Sequence, residues 1–270
     1  MKNFIKILFN KFNIQITKRT SYINLIERLN ACEYNFDVAN KKNIEYYEGF
    51  EYFEELLLQN LNHFVEVLPK SKSQLRQDLF VLNHLNFKKN GYFVEFGATN
   101  GIDLSNTYLL EKDFGWQGIL AEPSIGWHED LMANRDCNID KNCVWNKTNE
   151  LLDFNEVNNQ ELSTIGSFNN CDRHYEKRKN GKFYKVNSIS LTDLLKKYNA
   201  PSEIDYLSID TEGSEYEILK SFDFEKYSFK VITVEHNYTT LREDIFQLLT
   251  SKGYTRKLQV FSKWDDWYVR

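Results

Sequence analysis

Short apolar runs alternate with helical patterns along the chain from residue 73 onward. Compact β-prone runs predict strands at residues 92–96, 118–121, 204–209 and 231–234. Segments whose apolar residues recur at spacings of three and four predict helices at residues 105–114, 127–134, 191–198, 214–222 and 241–249. This repetition of strand, helix and strand is typical of a parallel sheet with helices on both faces.

Two further segments refine this picture. Residues 143–145 predict an additional strand, and residues 255–261 with 267–269 predict a closing antiparallel hairpin. Residues 155–190, rich in Asn, Lys and aromatic side chains, interrupt the alternation and predict a lid or a wall of the substrate site. The predicted fold class is therefore α/β, a Rossmann-like doubly wound, mostly parallel sheet with a C-terminal antiparallel hairpin.

The first 70 residues differ from the rest and predict a helical N-terminal extension before a domain at residues 71–270. Phe50, Phe53, Leu56, Leu57 and Leu61 recur as one buried helical face would. Residues 1–19 hold five basic and no acidic side chains, so this segment could lie on an anionic membrane. We favour docking on the protein itself or on a second subunit, and therefore expect a homo-oligomer. No apolar run is long enough to span a bilayer.

Charge and cysteine content narrow the classes of function. The net charge is −5 and the pI is about 5.7, whereas binding to a phosphate backbone requires a basic surface. Nucleic acid is therefore a poor candidate partner. The four cysteines form no CxxC pair, which favours reduced thiols in a cytoplasmic protein.

A glycine loop follows the first strand. Gly97 and Gly101 are four residues apart, and Glu95 lies inside the end of the strand. Glycines permit a tight turn and close approach to a ligand, although a turn alone would also explain them. Thr99 occupies the place of the second glycine in the dinucleotide fingerprint, so a pyrophosphate is a less suitable ligand.

Acidic residues close two further strands, and a histidine closes a third, at the same predicted edge. Glu122 follows the second strand, 21 residues after Gly101, where a carboxylate can accept hydrogen bonds from two ribose hydroxyls. Asp210 and Glu212 follow the strand at residues 204–209, and His236 follows the strand at residues 231–234. Helix capping, and a core histidine, are the structural alternatives; together these residues favour an adenosine-type cofactor beside a catalytic or metal site.

Taken together, these segments resemble the FkbM-type methyltransferases, which depend on S-adenosylmethionine (SAM) and have a class I methyltransferase fold. The likeness spans residues 73–270, including the pairs Ser73-Gln74 and Gln77-Asp78 and the terminal run at residues 266–269. It implies O-methylation of a sugar or polyketide-type hydroxyl. The cofactor-binding residues are then predicted to be Gln74, Glu95, Gly97, Ala98, Asn100, Gly101, Glu122, Pro123, Asn142, Cys143 and Asp210.

Two routes for activating the acceptor hydroxyl fit these residues. His236 could act as the general base. Alternatively, Asp210 and Glu212 with His236 or Asn237 could hold Mg²⁺ or Mn²⁺, which lowers the pKa of a bound hydroxyl, and this route ranks first. The predicted catalytic residues are Asp210, Glu212 and His236.

The predicted acceptor is a bacterial nucleotide-linked, capsule or lipopolysaccharide sugar. Arg173, His174, Arg178 and Lys182 could contact its phosphates, although charged loops are more often simply solvated. A nicotinamide-dependent oxidoreductase and a non-catalytic interaction protein that retains the fold are the competing hypotheses. The missing dinucleotide fingerprint counts against the first, and an absence of bound cofactor would favour the second.

Overall fold

The computed structural model describes residues 63–270, and their backbone forms two sheets. The strands, in chain order, are β1 Tyr92–Phe96, β2 Gln117–Ala121, β3 Asn138–Asp140, β4 Cys143–Trp145, β5 Leu151–Glu156, β6 Thr164–Ile165, β7 Lys182–Ser190, β8 Glu203–Ile209, β9 Ser228–Glu235, β10 Thr255–Lys257 and β11 Asp265–Val269. The α-helices are α1 Gln77–His84, α2 Tyr108–Phe114, α3 His128–Asn134, α4 Tyr175–Arg178, α5 Leu191–Lys197, α6 Glu215–Lys220, α7 Leu241–Ser251 and α8 Gln259–Ser262.

The central sheet has the order β10-β11-β9-β8-β1-β2-β3. Strands β9, β8, β1, β2 and β3 are parallel, whereas β11 runs antiparallel to both β9 and β10. The predicted doubly wound α/β fold and its C-terminal antiparallel hairpin are thus confirmed. The four carboxyl ends of β9, β8, β1 and β2 meet at one edge, where open α/β sheets bind their ligands.

Two apolar cores cover the two faces of this sheet. Along β1, Val94 packs with α5, α6 and α7, whereas the preceding Phe93 packs with α1, α2 and α3. Tyr206 and Leu207 divide in the same way along β8. Successive side chains of a strand point to opposite faces, so a continuous apolar run is what a sheet buried on both faces requires.

The second sheet has the order β4-β7-β5-β6 and is built from residues 143–190. Residues 143–145 do form a strand, but it pairs with β7 and not with the central sheet. The third strand on that side of the central sheet is β3, which the pattern did not predict. Residues 155–190, which interrupt the alternation and are predicted to form a lid or a wall of the substrate site, contain β6 and β7 and belong to this second sheet. These strands are short or alternate weakly, so they carry little periodic signal.

The helix predicted at residues 105–114 begins only at Tyr108. Ser105, Asn106 and Thr107 instead direct a hydroxyl, a backbone N–H and a second hydroxyl to the Glu95 carboxylate. Polar side chains that bind nearby groups compete with helix formation, which accounts for the later start. The other predicted helices of this domain match α3, α5, α6 and α7 to within a few residues.

The predicted N-terminal extension lies largely outside the described residues. This includes the helical face at residues 50–61 and the basic start of the chain. Within the described part, Leu68–Lys70 form one turn of 3-10 helix with Pro69 in its first turn. No helix within residues 63–270 is long and apolar enough to cross a membrane.

Candidate functional site

A cavity lies at the carboxyl ends of β1, β2 and β8, with a free volume of about 950 Å³ including its open mouth. One wall is polar and acidic, and the other is largely apolar. The polar wall includes Gln74, Gln77, Glu95, Asn106, Glu122, Asp210, Glu212 and Asp265. The apolar wall includes Pro123, Cys143, Val144, Phe154 and Ile165. An elongated ligand with one apolar and one charged end fits such a division.

The glycine loop after β1 is shaped by its protein neighbours. Gly97 has a φ of +73°, and a Cβ there would collide with the backbone oxygen of Asp210. Gly101 has a φ of +80°, and a Cβ there would lie 2.6 Å from Cγ of Arg135 and 2.8 Å from Cδ1 of Leu131. Glycine is therefore required at both positions because the β1 loop packs against the β8 loop and α3.

Glu95 is held at the base of this loop. Its Oε1 accepts the backbone N–H of Asn106 at 2.7 Å, and its Oε2 accepts hydroxyl groups of Ser105, at 3.0 Å, and Thr107. Burial raises the pKa of Glu95, while Arg135, with NH1 3.9 Å from Oε2, opposes that rise. The carboxylate thus organises the segment that precedes α2.

Glu122 joins the glycine loop to the end of β2. Its Oε2 accepts the backbone N–H of Thr99 at 3.0 Å, and its Oε1 accepts that of Ser124 at 2.8 Å. Burial raises the pKa of Glu122 to about 7, and the nearby Glu156 contributes to the rise. Each carboxylate oxygen has a second lone pair, so the side chain can still accept hydrogen bonds from ribose hydroxyls.

The apolar wall comes mainly from the second sheet. Phe154 on β5 and Ile165 on β6 are buried and line the cavity beside Cys143. Burial raises the pKa of the Cys143 thiol to about 12, so this side chain is a neutral packing group. Asn142 does not line the cavity, because its backbone and side-chain N–H groups bind Asp140 at 2.9 and 2.8 Å.

Asp210, directly after β8, lies where carboxylates crowd together. It is open to solvent through the cavity, yet protein atoms surround it on its other sides. Burial and then the charge of Asp265 raise its pKa to about 8, and a hydrogen bond with Glu235 opposes the rise. Carboxylate oxygens of Asp210, Glu212 and Glu235 lie within 4.8 Å of one another. We call these three residues the carboxylate triad.

Glu212 is oriented by two partners from different elements. Its Oε2 accepts hydrogen bonds from NH2 of Arg178, at 2.7 Å, and from Nδ2 of Asn237, at 3.2 Å. Burial and the charge of Asp210 raise its pKa, whereas the charge of Arg178 lowers it. Its backbone has a φ of +58°, a left-handed conformation that is uncommon outside glycine.

The structure places His236 outside the lining of the cavity described above. Its Nδ1 accepts the backbone N–H of Tyr238 at 2.9 Å, and its Nε2 lies 3.8 Å from Oδ1 of Asp266. Burial lowers its pKa to about 4, so the ring is neutral at pH 7. Glu235, and not the predicted His236, completes the three-residue group with Asp210 and Glu212.

A second cavity lies beside the triad, at the carboxyl end of β9. Most of the residues that line it are polar or charged, and they include Asp172, Glu215, Glu235, His236, Asn237, Thr239 and Thr240, beside Cys171, Gly213 and Leu241. Asp210 and Glu212 line the first cavity, and Glu235 lines the second. The triad therefore stands where the two cavities approach each other.

The basic cluster predicted to contact phosphates is divided by the structure. Arg178 is buried, with a bidentate ion pair to Asp172 at 3.0 Å in addition to its contact with Glu212, so it has no free face for a phosphate. Arg173 is exposed, and its guanidinium lies 6.0 Å from the ring centre of Trp264, over which Lys263 also lies. The indole of Trp264 contacts Gln74 at the mouth of the cofactor cavity.

The structure brings together most of the predicted cofactor residues. Those that line the first cavity are Gln74, Glu95, Gly97, Glu122, Pro123, Cys143 and Asp210. Ala98, Asn100, Gly101 and Asn142 are outside its lining and shape the neighbouring loops. Sequence reasoning missed Gln77, Asn106, Phe154 and Asp265. Asn106 stands just before a helix, which was a usable signal; Phe154 lies on β5, a strand that the sequence pattern did not predict.

The residues present fit SAM. The cofactor has an apolar adenine, a ribose with two hydroxyls, a cationic sulfonium and a charged amino-acid end. The apolar wall, the strand-end Glu122 and the acidic wall correspond to these parts in turn. In addition, Oδ1 of Asn106 is buried without a hydrogen-bond partner among the described residues, as a group awaiting a ligand would be.

The family model that matches this chain is that of a methyltransferase. Residues 95–256, more than half of the chain, match the Methyltransferase FkbM domain. The chain belongs to the FkbM methyltransferase family. This membership decides against the nicotinamide-dependent oxidoreductase considered from the sequence.

Three methyltransferases of known structure match parts of this chain. Methyltransferase FkbM from Methylobacillus flagellatus KT matches with a TM-score of 0.42 at 10% identity, covering 79% of this chain and 60% of that one. Precorrin-6y C5,15-methyltransferase from Geobacter metallireducens GS-15 has a TM-score of 0.37 at 10% identity, with 72% and 87% covered. Ribosomal protein L11 methylase from Lactobacillus delbrueckii subsp. bulgaricus matches with a TM-score of 0.35 at 11% identity, covering 71% of this chain and 74% of that one. A search of curated proteins found no match.

Proposed function

We propose that this chain transfers the methyl group of SAM to a hydroxyl of a sugar, either nucleotide-linked or part of a capsule or lipopolysaccharide. The observation that carries the proposal is the carboxylate triad between the two cavities. It offers hydrogen-bond acceptors and proton acceptors where a hydroxyl would meet the cofactor. The second cavity, lined by hydroxyl, amide and carboxyl groups, suits a polar acceptor with several hydroxyls.

The proposed work of the protein is alignment and proton removal. When bound, SAM supplies an activated methyl group on its sulfonium. Glu122 holds the ribose and the apolar wall holds the adenine, which fixes the donor against the acceptor. Asp210, whose pKa of about 8 lies near neutral pH, accepts the proton of the sugar hydroxyl during attack. The neutral His236 is less suited to this role because its Nδ1 already accepts a hydrogen bond.

A divalent cation is the second candidate for activating the hydroxyl. The triad offers three oxygen ligands, which hard ions such as Mg²⁺ and Mn²⁺ prefer. The ligand set we now propose is Asp210, Glu212 and Glu235, in place of the set with His236. Such an ion would lower the pKa of the acceptor hydroxyl and offset the repulsion among the carboxylates.

Support for a nucleotide-linked sugar comes from the mouth of the first cavity. Arg173 and Lys263 flank the ring of Trp264 and form no salt bridge with the described residues. An anionic group of the acceptor could rest there while its hydroxyl reaches the triad.

Mass spectrometry tests the proposal in two steps. Purified protein should release SAM or S-adenosylhomocysteine on denaturation. Incubation with SAM and a panel of nucleotide-linked and free sugars should then give a product heavier by one methylene, together with S-adenosylhomocysteine. Binding of SAM with methylation only of nitrogen or carbon acceptors would overturn the sugar hydroxyl as acceptor, and failure to bind SAM would overturn the whole proposal.

Chelation separates the two routes. If the triad holds a cation, EDTA should abolish turnover and added Mg²⁺ or Mn²⁺ should restore it. Full activity after EDTA treatment would leave Asp210 acting as a base without a metal.

A further inference from the structure

The side-chain amide of Asn106 is held by its nitrogen, and its oxygen is left without a partner among the described residues. Its Nδ2 donates to Oγ of Ser208 at 2.9 Å, and its backbone N–H donates to Glu95. Its Oδ1 accepts no hydrogen bond from the described residues, although the residue is only 8% exposed and lines the first cavity. A buried carbonyl oxygen without a donor is unfavourable, so a ligand that supplies a donor gains affinity by binding to it.

The side-chain amide of Gln74 is oriented the other way, with its oxygen bound and its nitrogen free. Its Oε1 accepts the indole N–H of Trp264 at 3.2 Å, and that group can only donate. The Nε2 of Gln74 therefore has its N–H groups free, and it donates to no described residue. Gln74 also lines the cofactor cavity. The cavity thus presents one carboxamide as an acceptor and another as a donor.

The charges around Asn106 favour a cationic group. Glu95, Asp210 and Asp265 all line this cavity. Gln77 also lines it but is neutral, and its Nε2 already donates a hydrogen bond to Asp265 at 2.7 Å. No lysine or arginine lines this cavity. An ammonium group, with three donors and a positive charge, matches an unpaired carbonyl oxygen beside carboxylates.

We propose that Asn106 and Gln74 recognise the two charged ends of the amino-acid part of SAM. Oδ1 of Asn106 accepts a hydrogen bond from the α-ammonium group, and Nε2 of Gln74 donates to the α-carboxylate. Glu95, expected from the resemblance to hold the methionine part, acts instead through Asn106, because each of its two oxygens already accepts two hydrogen bonds from residues 105–107. The assignment rests on the proposed use of SAM and extends it to residues of the binding site.

Calorimetry with three probes tests this assignment without any methyl acceptor. S-Adenosylhomocysteine carries both charged groups, decarboxylated SAM carries only the ammonium, and 5′-methylthioadenosine carries neither. Asn106→Leu should weaken S-adenosylhomocysteine and decarboxylated SAM roughly tenfold to a hundredfold, as expected for a hydrogen bond to a charged group. Gln74→Leu should weaken S-adenosylhomocysteine alone. Neither substitution should change the affinity for 5′-methylthioadenosine by more than about twofold.

Two further variants keep the test decisive. Asn106→Asp retains an acceptor oxygen and should restore S-adenosylhomocysteine binding to within about threefold of the unmodified protein. Asn155→Leu is the matched control, since Asn155 is also buried with an unpartnered Oδ1 but lies outside the cavity lining. It should lower the melting temperature and leave the ratio of the three affinities unchanged.

The outcomes separate this assignment from the proposed function. Equal weakening of all three probes by Asn106→Leu, or no weakening of any, would overturn the role of Asn106. If Asn106→Leu does not fold, the same judgement passes to Asn106→Ala, which also removes the acceptor oxygen and adds no volume to the buried site. Failure of the unmodified protein to bind S-adenosylhomocysteine would overturn the use of SAM itself, and not only the roles of these two residues.

Discussion

Two groups of acidic residues at the carboxyl edge of the central sheet differ in the groups that bind their carboxylates. At the ends of β1 and β2, Glu95 and Glu122 accept hydrogen bonds from backbone N–H groups and hydroxyls of the loops beside them. At the ends of β8 and β9, Asp210, Glu212 and Glu235 face one another, and Arg178 is the only cation that bonds to any of them within the described residues. The first pair organises loops, whereas the second group concentrates negative charge.

The same local pattern in the sequence, an acid closing an apolar strand, therefore has two physical results. A carboxylate whose oxygens meet N–H donors is stabilised in place and prepares a rigid surface for a ligand. Carboxylates that face each other in a buried site hold protons to unusually high pH or attract a cation. This contrast predicts that substitutions of Glu95 or Glu122 alter cofactor binding, whereas substitutions in the carboxylate triad alter turnover.

The largest expected effect is at Asp210. Asp210→Ala should reduce turnover at saturating SAM at least about a hundredfold, because it removes the proton acceptor or metal ligand. Calorimetry should show the affinity for S-adenosylhomocysteine changed by less than about threefold. Glu122→Gln is the contrasting variant and should weaken cofactor binding more than turnover at saturation. Equal loss of binding and turnover in Asp210→Ala would remove the distinction between the two ends.

The next effect concerns the buried cation. Arg178→Met should lower the free energy of unfolding by about 3–5 kcal/mol, since it leaves Asp172 and Glu212 buried without their partner. Urea denaturation measures this loss, and adding Glu212→Gln to the same chain should recover part of it. The exposed Arg173→Met is the control and should change stability by no more than about 0.5 kcal/mol. Similar losses in both variants would count against a buried ion pair.

The contact between the β1 and β8 loops can be broken at Gly97. Gly97→Ala places a Cβ against the backbone oxygen of Asp210 and also strains a φ of +73°. Gly253 has a φ of +87° with nothing within 4 Å of an added Cβ, so Gly253→Ala isolates the strain, about 1–2 kcal/mol. Denaturation should show a larger loss for Gly97→Ala than for Gly253→Ala, and equal losses would contradict the close contact.

The smallest effect is a dependence on pH. Folding raises the pKa of Asp210 from 3.8 to about 8, that of Asp265 from 3.8 to about 7 and that of Glu122 from 4.5 to about 7. Between about pH 4 and 8 the folded protein therefore binds more protons than the unfolded chain, so its stability falls as the pH rises. Without cofactor, the melting temperature should decrease from pH 5 to pH 8.

The cofactor should respond in the opposite direction. As these carboxyls ionise, the cationic sulfonium of SAM should gain affinity relative to the neutral sulfur of S-adenosylhomocysteine. Calorimetry at pH 6 and pH 8 measures this ratio. A ratio that stays constant would mean that the acidic wall lies away from the sulfonium.

The order of β1, β2, β8 and β9 along the chain could be predicted from sequence because each of these strands contains an apolar run buried on both faces. Residues 92–96 match β1, and the acids at positions 122 and 210 lie at the predicted edge. The second sheet could not be predicted in the same way. Its strands are stabilised by pairing between distant segments, such as β4 with β7, and not by a periodic pattern within one segment.

The sequence by itself determined the class of fold, the glycine loop and the strand-end acids, because burial and chain direction leave a local imprint on residue types. Only the tertiary structure decided which acids act together. It placed Glu235 with Asp210 and Glu212, turned His236 toward Asp266, and used Arg178 as a buried counter-charge. Neighbouring residues on a strand face opposite sides, so a difference of one position along the chain decides which site a side chain joins.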